Sequence, residues 1–292
     1  MNFSKTNLNL KVVLEFVQKI TDGNFKAISK AISLVENEHD EAKELLKKIY
    51  KYTGKAYKVG ITGPPGAGSN STKKTIKLAK HAKELQADAI LTITPYYNKP
   101  TQQGLYAHFA EVASAVDIPI IMYNVPGRTG VNMTAETTLK IAEEIPNVVG
   151  IKESSGNLIQ IMQIIKNRPE GFKVYSGDDS FAFPVILAGG DGVISVASNE
   201  VPSLMKQLVS ACLEGQLERA RELHYKLLPL MEANFIETNP IPVKAAMAML
   251  GLIKEVYRLP LVKMNEKNKE KLRNILFEVL ERENVSIGFI EK

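Results

Sequence analysis

The sequence predicts an α/β protein in which a parallel sheet is covered by helices. From residue 87 onward, apolar runs rich in β-branched residues alternate with amphipathic segments long enough to be crossover helices. Nearly continuous apolar strands are typical of parallel sheets that are buried on both faces. A spacing of roughly 20–30 residues per unit fits either a barrel or a doubly wound sheet. The strands are predicted at residues 87–95, 118–126, 147–153, 172–177 and 192–197.

Helices are predicted at both ends of the chain. In the first 50 residues, apolar positions recur at intervals of three and four, which indicates amphipathic helices. The first apolar run with strand character is 57–63, and it leads into a loop of Gly, Pro and Ala at 64–68. From about residue 200 the pattern is helical again, ending with the segment 265–282.

Composition and charge exclude several classes of protein. The chain is 45% hydrophobic and 24% charged, and no apolar run approaches the roughly 18 residues of a membrane span. Its N-terminus lacks the apolar core of a signal peptide, and the single cysteine, Cys212, suits a reducing compartment, so we expect a cytoplasmic protein without a membrane partner. The four histidines lie far apart in sequence, so no metal site is predicted.

The net charge of +5 comes mostly from an excess of lysines over acids in residues 1–68. These lysines are spread among acids along apparent helices. That pattern is typical of a solvated helix face, so a nucleic-acid partner is not expected.

Polar side chains collect at the predicted carboxyl ends of the strands, where parallel α/β folds place their chemistry. Lys152 ends the otherwise apolar run VVGIK within the predicted strand 147–153, and burial of a lysine favours the neutral amine that attacks carbonyls. Tyr123, one strand earlier, is placed to relay protons, and Arg128, in the following turn, offers a fork for a carboxylate. Considered singly, the three also fit an ion-paired lysine, a packing tyrosine and a surface arginine.

Residues 69–292 resemble the dihydrodipicolinate synthase (4-hydroxy-tetrahydrodipicolinate synthase) family, whose members are pyruvate-dependent class I aldolases with a (β/α)8 barrel. The resemblance is carried, in family order, by GSNST, TPYYNKPTQQGLYAHF, YNVPGRTG, GIKESSGNL, SGDDSFAFP, GGDGVISVASN and NPIPVKAAMAMLGL. The combination of YYNKPTQ with YNVPGRTG favours this branch over relatives such as N-acetylneuraminate lyase. The implied reaction condenses pyruvate with L-aspartate-4-semialdehyde in lysine and diaminopimelate biosynthesis, without a cofactor.

The same resemblance implies roles for individual residues. Lys152 would form a Schiff base with pyruvate, and Tyr123 would relay protons. Tyr97 would complete the relay by reaching into a neighbouring subunit, which implies a homo-oligomer, either a dimer or a tetramer. Arg128 would guide the carboxylate of aspartate semialdehyde, and the site would be lined by Gly177, Asp178 and Ile194.

Two features depart from the family pattern. Residues 1–68 contain no Thr-Thr-Gly-Glu turn, whose threonines hold the pyruvate carboxylate and link the tyrosines in the family. The resemblance therefore implies a barrel without its first two strands, with 57–63 standing in for the third, and impaired turnover. Lys74 stands where lysine-inhibited members have a glutamate, so inhibition by lysine is not expected.

Residues 1–68 instead resemble the beginning of the G-protein chaperones of methylmalonyl-CoA mutase, the LAO/AO transport ATPase family. Ser69 and Asn70 replace the phosphate-binding lysine and the magnesium-binding hydroxyl of a P-loop, so nucleotide hydrolysis is not expected. The sequence therefore predicts two parts, 1–68 and 69–292, joined as in a gene fusion or chimera. The alternatives are another pyruvate-dependent aldolase of the N-acetylneuraminate lyase type, an inactive fusion and, less favoured, a nucleotide-binding G-protein chaperone.

Overall fold

The computed structural model describes residues 10–22, 24, 26–28, 30–31 and 67–281. The chain divides into two units, one of residues 1–60, 248–255 and 289–292 and one of residues 61–247 and 256–288. The strand predicted at 57–63 lies outside the described residues. Within the described parts, no helix is both long and apolar enough to cross a membrane.

The described start of the first unit is helical, as predicted. Helix α1 spans Leu10–Thr21, and residues 26–28 and 30–31 are also helical. Val17 and Ala31 are buried together, and Phe16 and Ile20 pack against them, because residues three and four apart share one face of a helix. The Asn24 side chain accepts a hydrogen bond from the Ala27 N–H at 3.1 Å, as a helix N-cap does.

The second unit contains a parallel sheet whose five strands lie side by side in chain order. This order is that of a (β/α)8 barrel, whereas a doubly wound sheet reverses direction at a switch point. All five strands predicted from residue 87 onward are confirmed, and the α/β class with them. The strands are β1 (Ile90–Ile93), β2 (Ile120–Asn124), β3 (Val148–Glu153), β4 (Lys173–Ser176) and β5 (Gly192–Val193).

Helices follow each strand and continue beyond the sheet. Four of them begin at a Ser, Thr or Asn whose side chain accepts an N–H three residues on, which fixes where each loop becomes a helix; these N-caps are Ser71, Thr101, Thr134 and Asn157. The helices are α2 (Thr72–Glu84), α3 (Gln102–Ala115), α4 (Pro126–Thr129), α5 (Ala135–Glu144), α6 (Leu158–Asn167), α7 (Ala182–Leu187), α8 (Pro202–Leu213), α9 (Leu217–Ala233), α10 (Ile241–Met249) and α11 (Glu266–Glu281).

The two faces of the sheet carry different side chains. Because side chains alternate along a strand, residues paired by the parallel register share a face. One face packs Met122 and Ile151 against α3 in a core that also contains Leu105 and Phe109. The opposite face carries Lys152, which is paired with its neighbours on β2 and β4. The lysine therefore points away from the helix-covered core.

Strand β5 is shorter than the predicted strand 192–197. It ends at Val193, and Ala197–Asn199 form a 3-10 turn. The Val196 and Ala197 N–H groups donate to the Asp179 carboxylate instead of continuing the sheet, at 2.9 and 2.8 Å. A side chain thus competes with strand pairing, which apolar patterning does not reveal.

The described part of this unit begins alongside β1. The Ala67 N–H donates to the Leu91 carbonyl at 2.8 Å. A Cβ on Gly68 would come within 2.5 Å of the Ile93 backbone nitrogen, so only glycine fits this close approach.

Candidate active site

Lys152 and Tyr123 meet on the face of the sheet that points away from α3. They are Cα partners on β3 and β2, and the Nζ of Lys152 lies 4.3 Å from the centroid of the Tyr123 ring. A cation over an aromatic ring is attracted to the negative face of its quadrupole. The parallel register therefore brings together two of the residues that the sequence selects for the site.

The electrostatic surroundings of Lys152 favour a reactive amine. Burial lowers its pKa to about 8; the Asp179 carboxylate opposes this shift, and the Arg128 guanidinium adds to it. With a pKa of about 8, roughly a tenth of the side chain is the neutral nucleophile at pH 7. An ordinary exposed lysine supplies far less neutral amine at that pH.

The Tyr123 phenol is held in its protonated form. Burial raises its pKa, and the Asp178 carboxylate acts in the same direction. The hydroxyl of Ser154 and the guanidinium of Arg128 oppose these effects. A neutral phenol beside the amine is able to donate a proton and to take one back, which is what a relay requires.

Gly177 makes room for the lysine side chain. A Cβ at this position would lie 2.9 Å from both Cγ and Cε of Lys152 and 1.9 Å from the Ser154 hydroxyl oxygen. The Gly177 N–H donates to the Glu153 carbonyl at 2.8 Å, so the loop after β4 is tied closely to β3. Any side chain here would have to displace Lys152.

The other residues predicted to line the site occupy the same carboxyl edge of the sheet. Arg128 belongs to the short helix α4 after β2, and its Nη2 donates to the Asn239 carbonyl at 3.1 Å. The Asp178 carboxylate accepts two hydrogen bonds from Ser180, one from the backbone N–H at 2.9 Å and one from the side-chain hydroxyl at 2.7 Å. Ile194 follows β5 and donates its N–H to the Ser176 carbonyl at 2.8 Å.

Tyr97 does not join this group. It lies on the loop after β1 with a left-handed φ of 72°, and 88% of its surface is exposed. Its backbone N–H donates to the Thr129 carbonyl at 3.3 Å. In the part of the chain that the structure describes, no hydrogen bond or ring contact joins its side chain to Lys152 or Tyr123.

A buried carboxylate supports the end of β3 from behind. Glu153 follows Lys152 and therefore points to the opposite face, where it is 1% exposed. Its oxygens accept hydrogen bonds from the Ser155 N–H at 2.6 Å and from the side-chain amides of Asn124 and Gln160 at 3.0 and 3.3 Å. These donors offset the loss of hydration, although burial still raises the pKa of this carboxyl group.

Two further carboxylates belong near the site although sequence reasoning gives them no role. Asp179 is 1% exposed and acts electrostatically on Lys152. Glu200 is 5% exposed; burial raises its pKa to about 8, and its Oε2 accepts a hydrogen bond from the Asn234 amide at 2.8 Å. The signal for Asp179 in the sequence is its place directly after Asp178 at the end of a strand.

Among the described residues, no group of three or more His, Cys, Asp and Glu side chains is arranged to hold a metal ion.

A sequential parallel sheet with its polar side chains at the carboxyl edge is typical of barrel enzymes, and the comparison with known families agrees. The chain belongs to the dihydrodipicolinate synthetase family, whose model matches residues 14–279. This match begins inside the segment 1–68, which the motifs assign to a different family. Membership therefore extends further toward the N-terminus than the predicted boundary at residue 69.

Individual relatives are similar over most of their length. The 4-hydroxy-tetrahydrodipicolinate synthase of Oleidesulfovibrio alaskensis is 55% identical over 211 residues, which cover 72% of each chain. The crystal structure of dihydrodipicolinate synthase from Aquifex aeolicus, at 40% identity, has a TM-score of 0.75 and covers 98% of this chain and 96% of that one. The chloride-inhibited dihydrodipicolinate synthase from Acinetobacter baumannii, complexed with pyruvate, is 43% identical, has a TM-score of 0.74 and covers 81% and 79%.

Proposed function

We propose that this chain is a lyase that condenses pyruvate with L-aspartate-4-semialdehyde to 4-hydroxy-tetrahydrodipicolinate, a step of lysine and diaminopimelate biosynthesis. The observation that carries the proposal is the Lys152 amine, whose pKa burial lowers to about 8, lying 4.3 Å from the Tyr123 ring. Family membership supplies the choice of substrates. The reaction requires no cofactor.

The proposed chemistry begins with attack of the neutral Lys152 amine on the keto carbon of pyruvate. The carbinolamine loses water to form an imine, with Tyr123 passing protons to and from the reacting atoms. Loss of a methyl proton then gives an enamine, whose carbon attacks the aldehyde carbon of the second substrate. The amine of that substrate then displaces Lys152 from the imine, which closes the ring and frees the lysine. Arg128 binds the carboxylate of that substrate, and the pocket is lined by Gly177, Asp178 and Ile194.

A homo-oligomer, dimer or tetramer, would complete the site. Tyr97 is largely exposed on the loop after β1, which suits a tyrosine that reaches into a neighbouring subunit of a cytoplasmic enzyme. Sedimentation analysis of the native protein and of Tyr97→Ala tests this. We expect an oligomer in the native protein; a native protein that sediments as a monomer at working concentration contradicts it.

The two-part organisation, 1–68 and 69–292, is also a proposal. The P-loop-like run ends in Ser69 and Asn70, so we expect no binding in a titration with a guanine nucleotide, and measurable binding would favour the G-protein chaperone alternative. An uninterrupted native gene across codons 60–75 would rule out an assembly artefact. Because the Thr-Thr-Gly-Glu turn is absent from residues 1–68, turnover is expected to be orders of magnitude below that of a complete site.

Reductive trapping tests the proposed function. Pyruvate and borohydride should add the mass of the reduced adduct to a peptide containing Lys152 in the native protein. Lys152→Ala should give no adduct. The matched variant is Lys140→Met, because the Nζ of Lys140 on α5 also lies over a tyrosine ring, 4.8 Å from the centroid of Tyr106. This variant should form the adduct like the native protein. Absence of an adduct in the native protein contradicts the Schiff-base role and favours an inactive chain.

The aldehyde preference separates the remaining alternatives. Turnover with aspartate semialdehyde supports the proposed reaction. Turnover only with a sugar aldehyde would favour an aldolase of the N-acetylneuraminate lyase type, and trapping without turnover would indicate an inactive fusion.

A further inference from the structure

The buried carboxylate of Asp179 joins two loops at the carboxyl edge of the sheet. Asp179 begins a 3-10 turn, Asp179–Phe181, just after β4, and its Oδ2 accepts the Val196 and Ala197 N–H groups at 2.9 and 2.8 Å. These donors belong to the segment that follows β5. One oxygen thus connects the exits of two neighbouring strands, and the residue is only 1% exposed.

Both connected loops form walls of the proposed site. Gly177, two residues before Asp179, lies so close to Lys152 that an added Cβ would come within 2.9 Å of its side-chain carbons. Ile194, two residues before Val196, donates its N–H to the Ser176 carbonyl at 2.8 Å. A displacement of the Asp179 carboxylate would therefore move the loop against Lys152 and the segment that carries Ile194 together.

Asp179 also acts on the lysine through its charge. Its carboxylate raises the pKa of Lys152, against the effects of burial and of Arg128. Among the described residues, the other charged or titratable groups near this pair include Tyr123 under the amine, Tyr175 paired with Lys152 on β4, Asp178 directly before Asp179 and Glu200 from the segment before α8. Burial raises the pKa of Asp179 itself, while hydrogen bonds from the segment 195–197 lower it.

We propose that Asp179 is a positioning residue for the Schiff-base lysine: its carboxylate locks the loops after β4 and β5 together and sets the electrostatic balance at Lys152. The inference rests on the proposed role of Lys152. A purely structural carboxylate would affect folding and the amount of active protein, but not the pH at which the amine becomes a nucleophile.

The test measures the rate of adduct formation with pyruvate and cyanoborohydride as a function of pH. Asp179→Asn keeps an oxygen that accepts the two N–H groups but removes the charge. We expect its pH midpoint to fall by about one unit relative to the native protein, the low end of the effect of a nearby opposite charge. The matched control is Asp117→Asn, which removes the charge of a carboxylate that is 76% exposed, in the loop just before β2, and should keep the native midpoint.

Asp179→Glu provides the complementary variant. It keeps the charge but lengthens the side chain, so the midpoint should stay near the native value while the rate at the plateau falls about tenfold or more. An unchanged midpoint in a folded Asp179→Asn protein overturns the inference, as does failure of both variants to fold, which would indicate a structural role alone. If the native protein forms no adduct at any pH, the proposed function itself fails; a native adduct with an unshifted variant refutes only the role of Asp179.

Discussion

At the scale of single residues, the site depends on how closely its side chains are packed around one amine. Lys152 is confined by the Tyr123 ring on one side and by the backbone of Gly177 on the other. Desolvation inside this space lowers its pKa, and confinement fixes the direction from which a carbonyl carbon can approach. Small changes in volume or charge next to the amine should therefore change its chemistry.

Gly177→Ala tests whether the space next to the Lys152 side chain must stay free. The new Cβ would lie 1.9 Å from the Ser154 hydroxyl oxygen and 2.9 Å from two side-chain carbons of Lys152, so the lysine must move. We expect adduct formation with pyruvate to slow by about a hundredfold, the effect of misplacing a reacting group by roughly 1 Å. The measurement is the trapping rate followed by mass spectrometry.

Gly127→Ala is the matched control, because a Cβ at Gly127 would meet nothing within 4 Å. It should trap pyruvate at the native rate. A native trapping rate in Gly177→Ala would show that the loop after β4 yields easily and that the close contact does not orient the lysine.

Arg128→Gln tests whether the positive charge of Arg128 affects the Lys152 amine. Its guanidinium lowers the pKa of Lys152, so removing it should raise that pKa and move the pH midpoint of adduct formation upward. Loss of a charge-assisted bond to the substrate carboxylate should also raise the KM for the aldehyde substrate by about tenfold. The pH dependence of trapping and steady-state kinetics measure the two effects separately.

Arg219→Gln serves for comparison, since Arg219 lies on α9 in an exposed pair with Glu222. It should change neither quantity. If the midpoint in Arg128→Gln stays at the native value, Arg128 does not act on the lysine in solution.

At the scale of secondary-structure elements, a buried histidine joins α2 to α3. His108 is 4% exposed, and its Nδ1 lies 2.9 Å from the Thr72 hydroxyl oxygen at the start of α2. Burial lowers its pKa to about 4. The fold therefore holds this imidazole in its neutral form and resists its protonation.

Acid should weaken the fold through His108. The pKa of His108 falls from 6.5 to about 4 on folding. The neutral imidazole therefore makes its full contribution to the free energy of unfolding above pH 6.5, and this contribution is lost as the pH drops toward 4. Protonation at this site should cost about 3 kcal/mol of unfolding free energy once the pH is below 4. Urea unfolding at a series of pH values measures the slope.

His108→Gln should flatten this slope, since glutamine does not titrate and can still hydrogen-bond to Thr72. The exposed His81 gives the matched variant, His81→Gln, which should keep the native slope. An equal slope in the native protein and His108→Gln would place the acid sensitivity elsewhere.

The strands and their order can be predicted from local patterns in the sequence, whereas some contacts of the candidate site cannot. Apolar runs separated by helical segments predict β1–β5, and the rule that parallel strands share a carboxyl edge predicts that Lys152 and Tyr123 are neighbours. The role of Asp179 depends on which backbone donors lie within reach after folding. Those donors are 17 and 18 residues away in sequence, at Val196 and Ala197, so no short-range pattern contains the contact.

At the scale of the whole molecule, family membership favours the complete reaction, whereas the departures from the family pattern favour slow turnover. The family match covers residues 14–279, yet the Thr-Thr-Gly-Glu turn is absent from residues 1–68. The part of the proposed site that β2, β3 and the loop after β4 contribute has close packing around Lys152 and a lowered pKa of its amine. We therefore expect that formation of an adduct and completion of the reaction can be measured as separate properties of this chain.

Regulation by lysine should be absent. Lys74, near the start of α2, has an exposed side chain where lysine-inhibited members have a glutamate, and two ammonium groups repel each other. We expect no inhibition of trapping or turnover by millimolar lysine and no heat of binding in calorimetry. Lys74→Glu should bind lysine more tightly than the neighbouring variant Lys73→Glu, and clear inhibition of the native protein would contradict the prediction.

The alternation of side chains along β3 also limits how this chain can evolve. Lys152 faces the site, and Glu153 is buried on the opposite face among amide donors. Inserting or deleting one residue in the strand would exchange their faces, directing the carboxylate toward the keto acid and the ammonium into a pocket of N–H donors. Single substitutions in this strand change one side chain at a time. Lengthening or shortening the strand by one residue would instead displace both the Lys152 amine and the hydrogen-bonded Glu153 carboxylate.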